Sequence, residues 1–182
     1  MKHNIILDLD NTLIYSEPYS QFKKNFNKLS SKITDFDFRN MDKDYIVFER
    51  PGLQDFLDFL FENCNVSVWS AGSKPYVLNI IHKNIINNNK RQLDWIFFSD
   101  HCDMSYKKSN KHKDLNLLYE NKLLRNYTEK NTFIIDDHPK VLEANGDNCV
   151  HIEPFNINNE DSEKDTVLFD MVDILKNKLN IS

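Results

Sequence analysis

"IILDLDNTLI", residues 5–14, is the stretch on which the reading of this chain turns. An apolar run ends on two acids one residue apart, Asp8 and Asp10, and apolar character resumes at Leu13 and Ile14 after Asn11 and Thr12. Alternate side chains of a strand share a face, so Leu9 is hidden while Asp8 and Asp10 are presented together. A single Asp-x-Asp is most simply a polar turn at a strand end. What sets this one apart is the rest of the chain.

Further apolar runs with strand character lie at 65–69, 94–98, 131–135 and 148–152, besides 4–9 itself. Most are followed by helical spacing. Leu53, Phe56, Leu57, Leu60 and Phe61 form one face after Pro51 and Gly52, and Val77, Ile80, Ile81 and Ile85 form another after Pro75. Leu115, Leu118 and, a turn on, Lys122 and Leu123 continue the pattern, and Val167, Met171, Ile174, Leu175 and Leu179 close it. Strands alternating with helices predict an α/β fold, a three-layer α/β/α sandwich around a central parallel sheet. Residues 13–50 depart from the alternation. Phe36 and Phe38, a polar turn, and Tyr45 to Phe48 predict a small β-hairpin inserted after the first strand as a flap. Residues 1–182 are read as one domain, a length with 40% hydrophobic content being enough for one substantial core.

Composition removes several function classes. The three glycines, Gly52, Gly72 and Gly146, cannot build a GxGxxG turn or a GxxxxGK[ST] loop, which makes dinucleotide enzymes and P-loop kinases poor candidates. A net charge of −5 speaks against a general nucleic-acid binder. Cys64, Cys102 and Cys149 are widely spaced, odd in number and without a CxxC pair, so they read as reduced thiols rather than a zinc site or disulfide framework. With no apolar run of membrane-spanning length and no signal-like start, the expectation is a soluble, intracellular protein without a membrane partner.

Ligands of an open α/β sheet sit beyond the carboxyl ends of its strands. There the chain places Asp8 and Asp10, then Ser70 in "VSVWSAGS", then Asp136 and Asp137 in "FIIDDHP". A basic loop, "YKKSNKHKD" at 106–114, precedes the strand that ends in the last pair. Carboxylates so gathered repel unless some are protonated or a cation is bound. Oxygen donors without a nearby Cys or His pair point to a hard ion, Mg²⁺, which would keep one aspartate ionised and able to attack phosphorus.

These segments resemble motifs of the haloacid dehalogenase (HAD) superfamily: "ILDLDNTLI" its first, Ser70 its second, "IIDD" its fourth. Within it the chain is most similar to the phosphatases of the RNA polymerase II C-terminal domain and the NLI-interacting-factor group. "FERPGLQDFLDFL" at 48–60 resembles their arginine-proline entry to the first helix, and "HKDLNLL" at 112–118 and "VHIEPFNINNEDSEKDTVLFDMVDIL" at 150–175 extend the likeness over nearly the whole chain. The resemblance implies an Mg²⁺-dependent phosphomonoester hydrolase with Asp8 as nucleophile and Asp10 as general acid and base. It implies phosphate binding by Ser70 and a lysine and at the turn residues Asn11 and Thr12, Thr12 also fixing the turn through nearby backbone; the position of Asn11 varies in the family. It places the metal on Asp8, Asp136 and the Asp10 backbone carbonyl, with Asp137 acting through water. Lys107, Lys108, Lys111 and Lys113 are all near in sequence, and Lys113 matches the family's "KDL". The implied substrate is a phosphorylated protein or peptide. A small phosphate ester or a nucleic-acid end is the alternative, and a catalytically idle interaction module the reading from another class; the intact first motif argues against the last.

Other residues draw weaker readings. "DHCD" at 100–103, taken as extended loop, cannot turn every side chain to one ion. His138 either lines the cleft or caps the helix beside Pro139. His82 and His112 are expected at the surface, Arg50 in an ion pair that fixes the flap, and Trp69 and Trp95 in the core.

Overall fold

Every residue of Asn4–Leu7 is buried, as expected of a strand covered on both faces rather than one facing water. The structure, a computed structural model, describes residues 2–29, 36, 38–41, 44–86 and 90–181. In chain order its elements begin with β1 (Asn4–Leu7), β2 (Ile14–Pro18), α1 (Tyr19–Leu29), β3 (Phe38–Met41), β4 (Tyr45–Glu49), α2 (Leu53–Asn63) and β5 (Asn65–Trp69). There follow α3 (Lys74–Ile80), running into a π-helical turn at Ile81–Ile85, then β6 (Ile96–Phe97), α4 (Ser99–Ser109), α5 (Asn116–Tyr119), β7 (Thr132–Asp136), α6 (Pro139–Asn145), β8 (Cys149–His151) and α7 (Val167–Leu179).

The main sheet has five parallel strands in the order β6-β5-β1-β7-β8. Helices cover both of its faces, which is the sandwich the sequence predicts. Ile5 and Leu7 pack with Leu53, Phe56, Leu57 and Leu60 of α2 and with Leu168, Met171, Leu175 and Leu179 of α7. Ile6 faces the other way, with Trp69, Phe97, Leu118, Ile134 and Val141. Each such side chain contributes about 1.5–3 kcal/mol by leaving water. The chain travels from β1 outward to β5 and β6, then returns to β7 on the opposite side of β1. Strand order therefore reverses between β1 and β7, and a crevice opens at the carboxyl ends of that pair.

The flap is larger than a hairpin. β2 and β3 both pair antiparallel with β4, Ile14 opposite Glu49 and Phe38 opposite Phe48, in a second, three-stranded sheet. The expected polar turn at 42–43 lies outside the described residues. Helix α1 was not anticipated in this segment. Its Phe22 packs with Phe36, Ile46, Phe48, Phe155 and Ile157 in a small core separate from that of the main sheet, while Tyr45 of β4 packs on Tyr76 of α3.

Several boundaries shift for local reasons. The strand expected at 94–98 is paired only at Ile96–Phe97, at the sheet edge, and Trp95 before it is 41% exposed rather than in the core. Trp69 is fully buried, as expected. The helix expected through Leu123 stops after one turn, because the Asn121 side chain accepts the Leu123 N–H at 3.0 Å and offers the backbone a turn instead. Leu123 is exposed in consequence. Residues 100–103 and the start of the basic segment are helical, within α4, which ends at Asn110 in a left-handed conformation (φ 56°). No helix among the described residues is long and apolar enough to cross a membrane.

Arg50 joins the two sheets. Buried to 1% exposure, it forms a two-pronged pair with Asp165, Nε to Oδ1 at 3.0 Å and Nη2 to Oδ2 at 2.9 Å. Its Nη1 donates to the carbonyls of Thr12 at 3.1 Å and Glu153 at 2.9 Å. This is the ion pair expected of it, and it also grips the turn after β1. Arg50→Met would strand a carboxylate and two carbonyls, and is expected to cost about 3–5 kcal/mol. Urea denaturation measures this; a cost below about 1 kcal/mol would show that the pair does not hold flap and sheet together.

Candidate active site

Asp8 continues β1, its N–H donating to the Ile135 carbonyl at 3.0 Å, so its position is set by the sheet. Leu9 is fully buried, which leaves Asp8 and Asp10 on the open side as the alternation predicts. The chain then turns tightly. The N–H groups of Leu13 and Ile14 donate to the Leu9 carbonyl at 2.9 and 3.1 Å, and Asn11 adopts a left-handed conformation (φ 61°) that asparagine tolerates better than most residues. Asp136 ends β7, the strand beside β1, with Asp137 next to it.

Lys113 lies between the two strand ends. Its side chain is 7% exposed, with Nζ 2.5 Å from Asp8 Oδ1 and 2.7 Å from Asp136 Oδ2. Of the lysines in the basic segment, it is the one the structure brings to the acids. Its backbone has a positive φ of 45°, a costly conformation for a side chain of this size, and persists because its surroundings fix it. Asn145 Nδ2 donates to the Lys113 carbonyl at 3.0 Å, and Ser105 Oγ accepts the Asp114 N–H at 2.8 Å while donating to the Lys111 carbonyl at 2.9 Å.

Carboxylate oxygens of Asp8, Asp136 and Asp137 lie within 4.8 Å of one another. Two unit charges 4.8 Å apart repel by ~3.5 kcal/mol at an effective dielectric near 20. Burial raises the pKa of Asp8; Lys113 opposes the shift, Asp136 adds to it, and the net direction is up. Burial also raises Asp137, with Asp8 adding to it. For Lys113, burial disfavours the charge but Asp8 and Asp136 outweigh it, so its pKa is raised and the ammonium persists. Three oxygen donors, with no nitrogen or sulfur in the group, fit a hard divalent cation of the Mg²⁺ class.

Asp10 is outside that group. One of its oxygens, Oδ1, accepts from the Tyr76 hydroxyl and from Ser16 Oγ, the latter at 2.9 Å. Burial raises its pKa, and the Tyr76 bond only partly opposes this. The proton of Asp10 is therefore retained to higher pH than for an ordinary aspartate, as a general acid needs.

The remaining positions divide. Thr12, expected to bond nearby backbone, instead donates from Oγ1 to Asp137 Oδ1 at 3.2 Å and orients that carboxylate. Ser70 directly follows β5, 1% exposed, its Oγ accepting the Gly72 N–H at 3.0 Å with the hydroxyl proton left to donate. A cleft of about 240 Å³ is walled by Asp8, Asp10, Asn11, Lys113, Asp136 and Asp137, among others; Ala71, next to Ser70, also lines it, while Thr12 and Ser70 themselves are buried. His138 both caps α6, Nδ1 accepting the Lys140 N–H at 3.1 Å, and lines the cleft. His112 is exposed, as expected, and also lines the cleft, its ring stacked on His138 at 5.5 Å between centroids. Cys102, from "DHCD", reaches the same wall; His101 Nδ1 instead accepts the Phe98 N–H at 3.2 Å, and Asp100 and Asp103 are exposed. The sequence reading missed Ser16 and Tyr76. A signal existed for each: Ser16 is six residues beyond Asp10 on the strand that returns from its turn, and Tyr76 follows Pro75 in the first turn after Ser70.

A family profile described as NLI interacting factor-like phosphatase matches residues 3–181. The chain is 40% identical over 181 residues to the CTD phosphatase-like protein 355R of Invertebrate iridescent virus 6, covering 97% of this chain and 99% of that protein. Its identity to the protein of the same name from Invertebrate iridescent virus 3 is 36% over 174 residues, 92% of this chain and 91% of that one. Among solved structures, the fission yeast RNA polymerase II CTD phosphatase Fcp1 bound to beryllium fluoride matches with a TM-score of 0.61 at 18% identity, over 99% of this chain and 53% of that longer one. A HAD-superfamily hydrolase from Ehrlichia chaffeensis matches with a TM-score of 0.54 at 15% identity, over 99% and 100% of the two chains. At such identities these structures speak for the fold.

The acidic group yields a test of its electrostatics. A carboxyl whose folded pKa is raised penalises the folded state once pH climbs above its unfolded value, near 3.8 for Asp137. Asp137→Asn is therefore expected to raise the stability of the cation-free protein at pH 7, the gain fading as pH falls toward 4. It is also expected to weaken the thermal stabilisation given by Mg²⁺. Melting curves in EDTA and in Mg²⁺ measure both; a destabilised variant at pH 7 in EDTA would contradict the account.

Proposed function

This chain belongs to the NLI interacting factor-like phosphatase family and is a HAD-type phosphatase; from that premise we propose that it hydrolyses phosphoserine or phosphothreonine in a protein through a phosphorylated Asp8. The observation that carries the reading is the Asp8 carboxylate at the switch point of the sheet, paired with Lys113 at 2.5 Å and with Asp10 on the same rim.

In this reading a carboxylate oxygen of Asp8 attacks phosphorus, and the bond from phosphorus to the seryl or threonyl oxygen breaks. Asp10 gives its proton to the departing oxygen. Tyr76 and Ser16 occupy Asp10 Oδ1, which leaves Oδ2 as the oxygen to carry that proton. Asp10, now ionised, then takes a proton from water as its oxygen attacks the phosphorus; the bond to Asp8 breaks, releasing inorganic phosphate and restoring both side chains. Lys113 counters negative charge on Asp8 and the transferring group throughout, and the Ser70 hydroxyl donates to a phosphoryl oxygen. Asp8, Asp136 and Asp137 would hold Mg²⁺, with the Asp10 backbone carbonyl as a further ligand, and the ion supplies positive charge that keeps Asp8 ionised and lowers its repulsion for an anionic ester.

A protein substrate is supported by the setting of the cleft and by the names of the relatives. In the segment inserted between β1 and α2, Phe22, Phe36 and Phe48 are spent on a core of their own with Phe155 and Ile157. An open cleft with no cap domain over it among the described residues suits a phosphorylated side chain on a polypeptide. The viral relatives are called CTD phosphatase-like, and Fcp1 is a phosphatase of the RNA polymerase II C-terminal domain.

Purified protein is expected to hydrolyse p-nitrophenyl phosphate and phosphoserine peptides with Mg²⁺, to stop in EDTA, and to be inhibited by beryllium fluoride. Asp8→Asn is expected to lower kcat at least about 10³-fold without loss of fold. Turnover persisting in Asp8→Asn would remove the nucleophile assignment. Turnover of sugar phosphates far faster than of any phosphopeptide would overturn the substrate class.

A further inference from the structure

A second concavity, of about 270 Å³, adjoins the catalytic cleft and shares His112 with it. Its walls come from the end of α4, the segment 110–112 and α6, and include Tyr106, Lys111, Lys140 and Glu143. The local backbone explains why Lys111 and Lys113 part company. Left-handed conformations at Asn110 (φ 56°) and Lys113 (φ 45°) bracket two residues, sending Lys111 and His112 to this outer pocket while Lys113 turns into the catalytic one. The shared wall is ordered by ring contacts, the His112 ring lying edge-on to Tyr106 at 5.8 Å and stacked on His138.

The charge of this pocket is opposite to that of the chain. Lys108 is paired with Glu120 and Lys164 with Asp161, whereas among the described residues neither Lys111 nor Lys140 makes an ion pair. Glu143 supplies one negative charge against these two positive ones, in a chain whose net charge is −5. His112 senses the field: partial burial lowers its pKa, and Lys140, His138 and Lys113 lower it further. Two free ammonium groups in a hollow that opens onto a phosphate-cleaving site form a place for a second anion.

We propose that this basic concavity is a second anion subsite, which takes a phosphate or carboxylate group carried by the same substrate chain about two to four residues from the phosphate being removed. The inference rests on the protein-substrate reading above and narrows it to acidic or multiply phosphorylated segments. The spacing follows from reach. The Cα atoms of Lys111 and Lys113 are at most about 7.6 Å apart; their side chains diverge, and an extended peptide advances ~3.4 Å per residue.

The test compares kcat/KM for a singly phosphorylated peptide, the same peptide with a second phosphoserine two to four residues away, and one with glutamate there. The expected result is a preference of about tenfold or more for the doubly phosphorylated peptide, smaller for glutamate, expressed in KM and weakened by salt. In Lys111→Ala/Lys140→Ala the preference is expected to shrink to near one; both side chains are exposed, so the variant should melt with the parent. Equal rates on all three peptides, or a preference that survives in the double variant, would overturn the subsite. So would a preference shown only by small bisphosphate esters. If no peptide is turned over while p-nitrophenyl phosphate is, the protein-substrate reading falls and the subsite with it.

Discussion

An ammonium group held between two buried carboxylates is the constraint from which the rest of this structure follows. Asp8 and Asp136 leave neighbouring parallel strands at the same end, and sheet geometry alone would set their like charges together. Lys113, reaching both, lets them coexist in a nearly dry site. Its left-handed backbone, the Asn145 and Ser105 bonds that fix that backbone, and the αL stop at the end of α4 all serve to deliver one side chain to that point. Lys113 cannot neutralise three carboxylates, so the site retains a deficit of positive charge that a divalent cation and Lys113 together can meet.

A second constraint ties the flap to the same place. Arg50 grips Asp165 with one edge of its guanidinium and the carbonyls of Thr12 and Glu153 with the other. Thr12, gripped through its backbone, uses its hydroxyl to orient Asp137. The turn that carries Asp8 and Asp10 is thus fixed from the flap, from the segment before α7 and from the Asp136-Asp137 strand end at once. Arg50 does not itself line the cleft; it bears on it through the turn it holds.

Much of this was legible in the sequence because it rests on short-range pattern. Burial on both faces makes β1, β5 and β7 read as apolar runs, and the acids that interrupt or follow them mark strand ends. Lys113 could be singled out from its neighbours because it opens the "KDL" that resembles the family's, although the left-handed conformations at Asn110 and Lys113 that aim it are invisible to periodicity. What failed depended on partners far along the chain. Trp95 looks like a core residue until it is known to precede an edge strand. Helix α4 carries little apolar signal of its own, burying only Ser105 completely, whereas Tyr19, Phe22 and Phe26 of α1 do stand at helical spacing, a signal that reading the segment as a hairpin passes over. The Thr12 hydroxyl was expected on local backbone because its true acceptor, Asp137, is 125 residues away. Tyr76 and Ser16 meet Asp10 only because two separate sheets adjoin at that turn.

The claim on which everything converges is that Asp8, held at the strand end by Lys113, carries the phosphoryl group between substrate and water. The most direct measurement is to quench the enzyme in acid during turnover, reduce it with labelled borohydride and map the label. An acyl phosphate on Asp8 is converted to homoserine, so the account predicts labelled homoserine at position 8. Label at Asp10 or Asp136, or turnover with no label at any carboxylate, would contradict it.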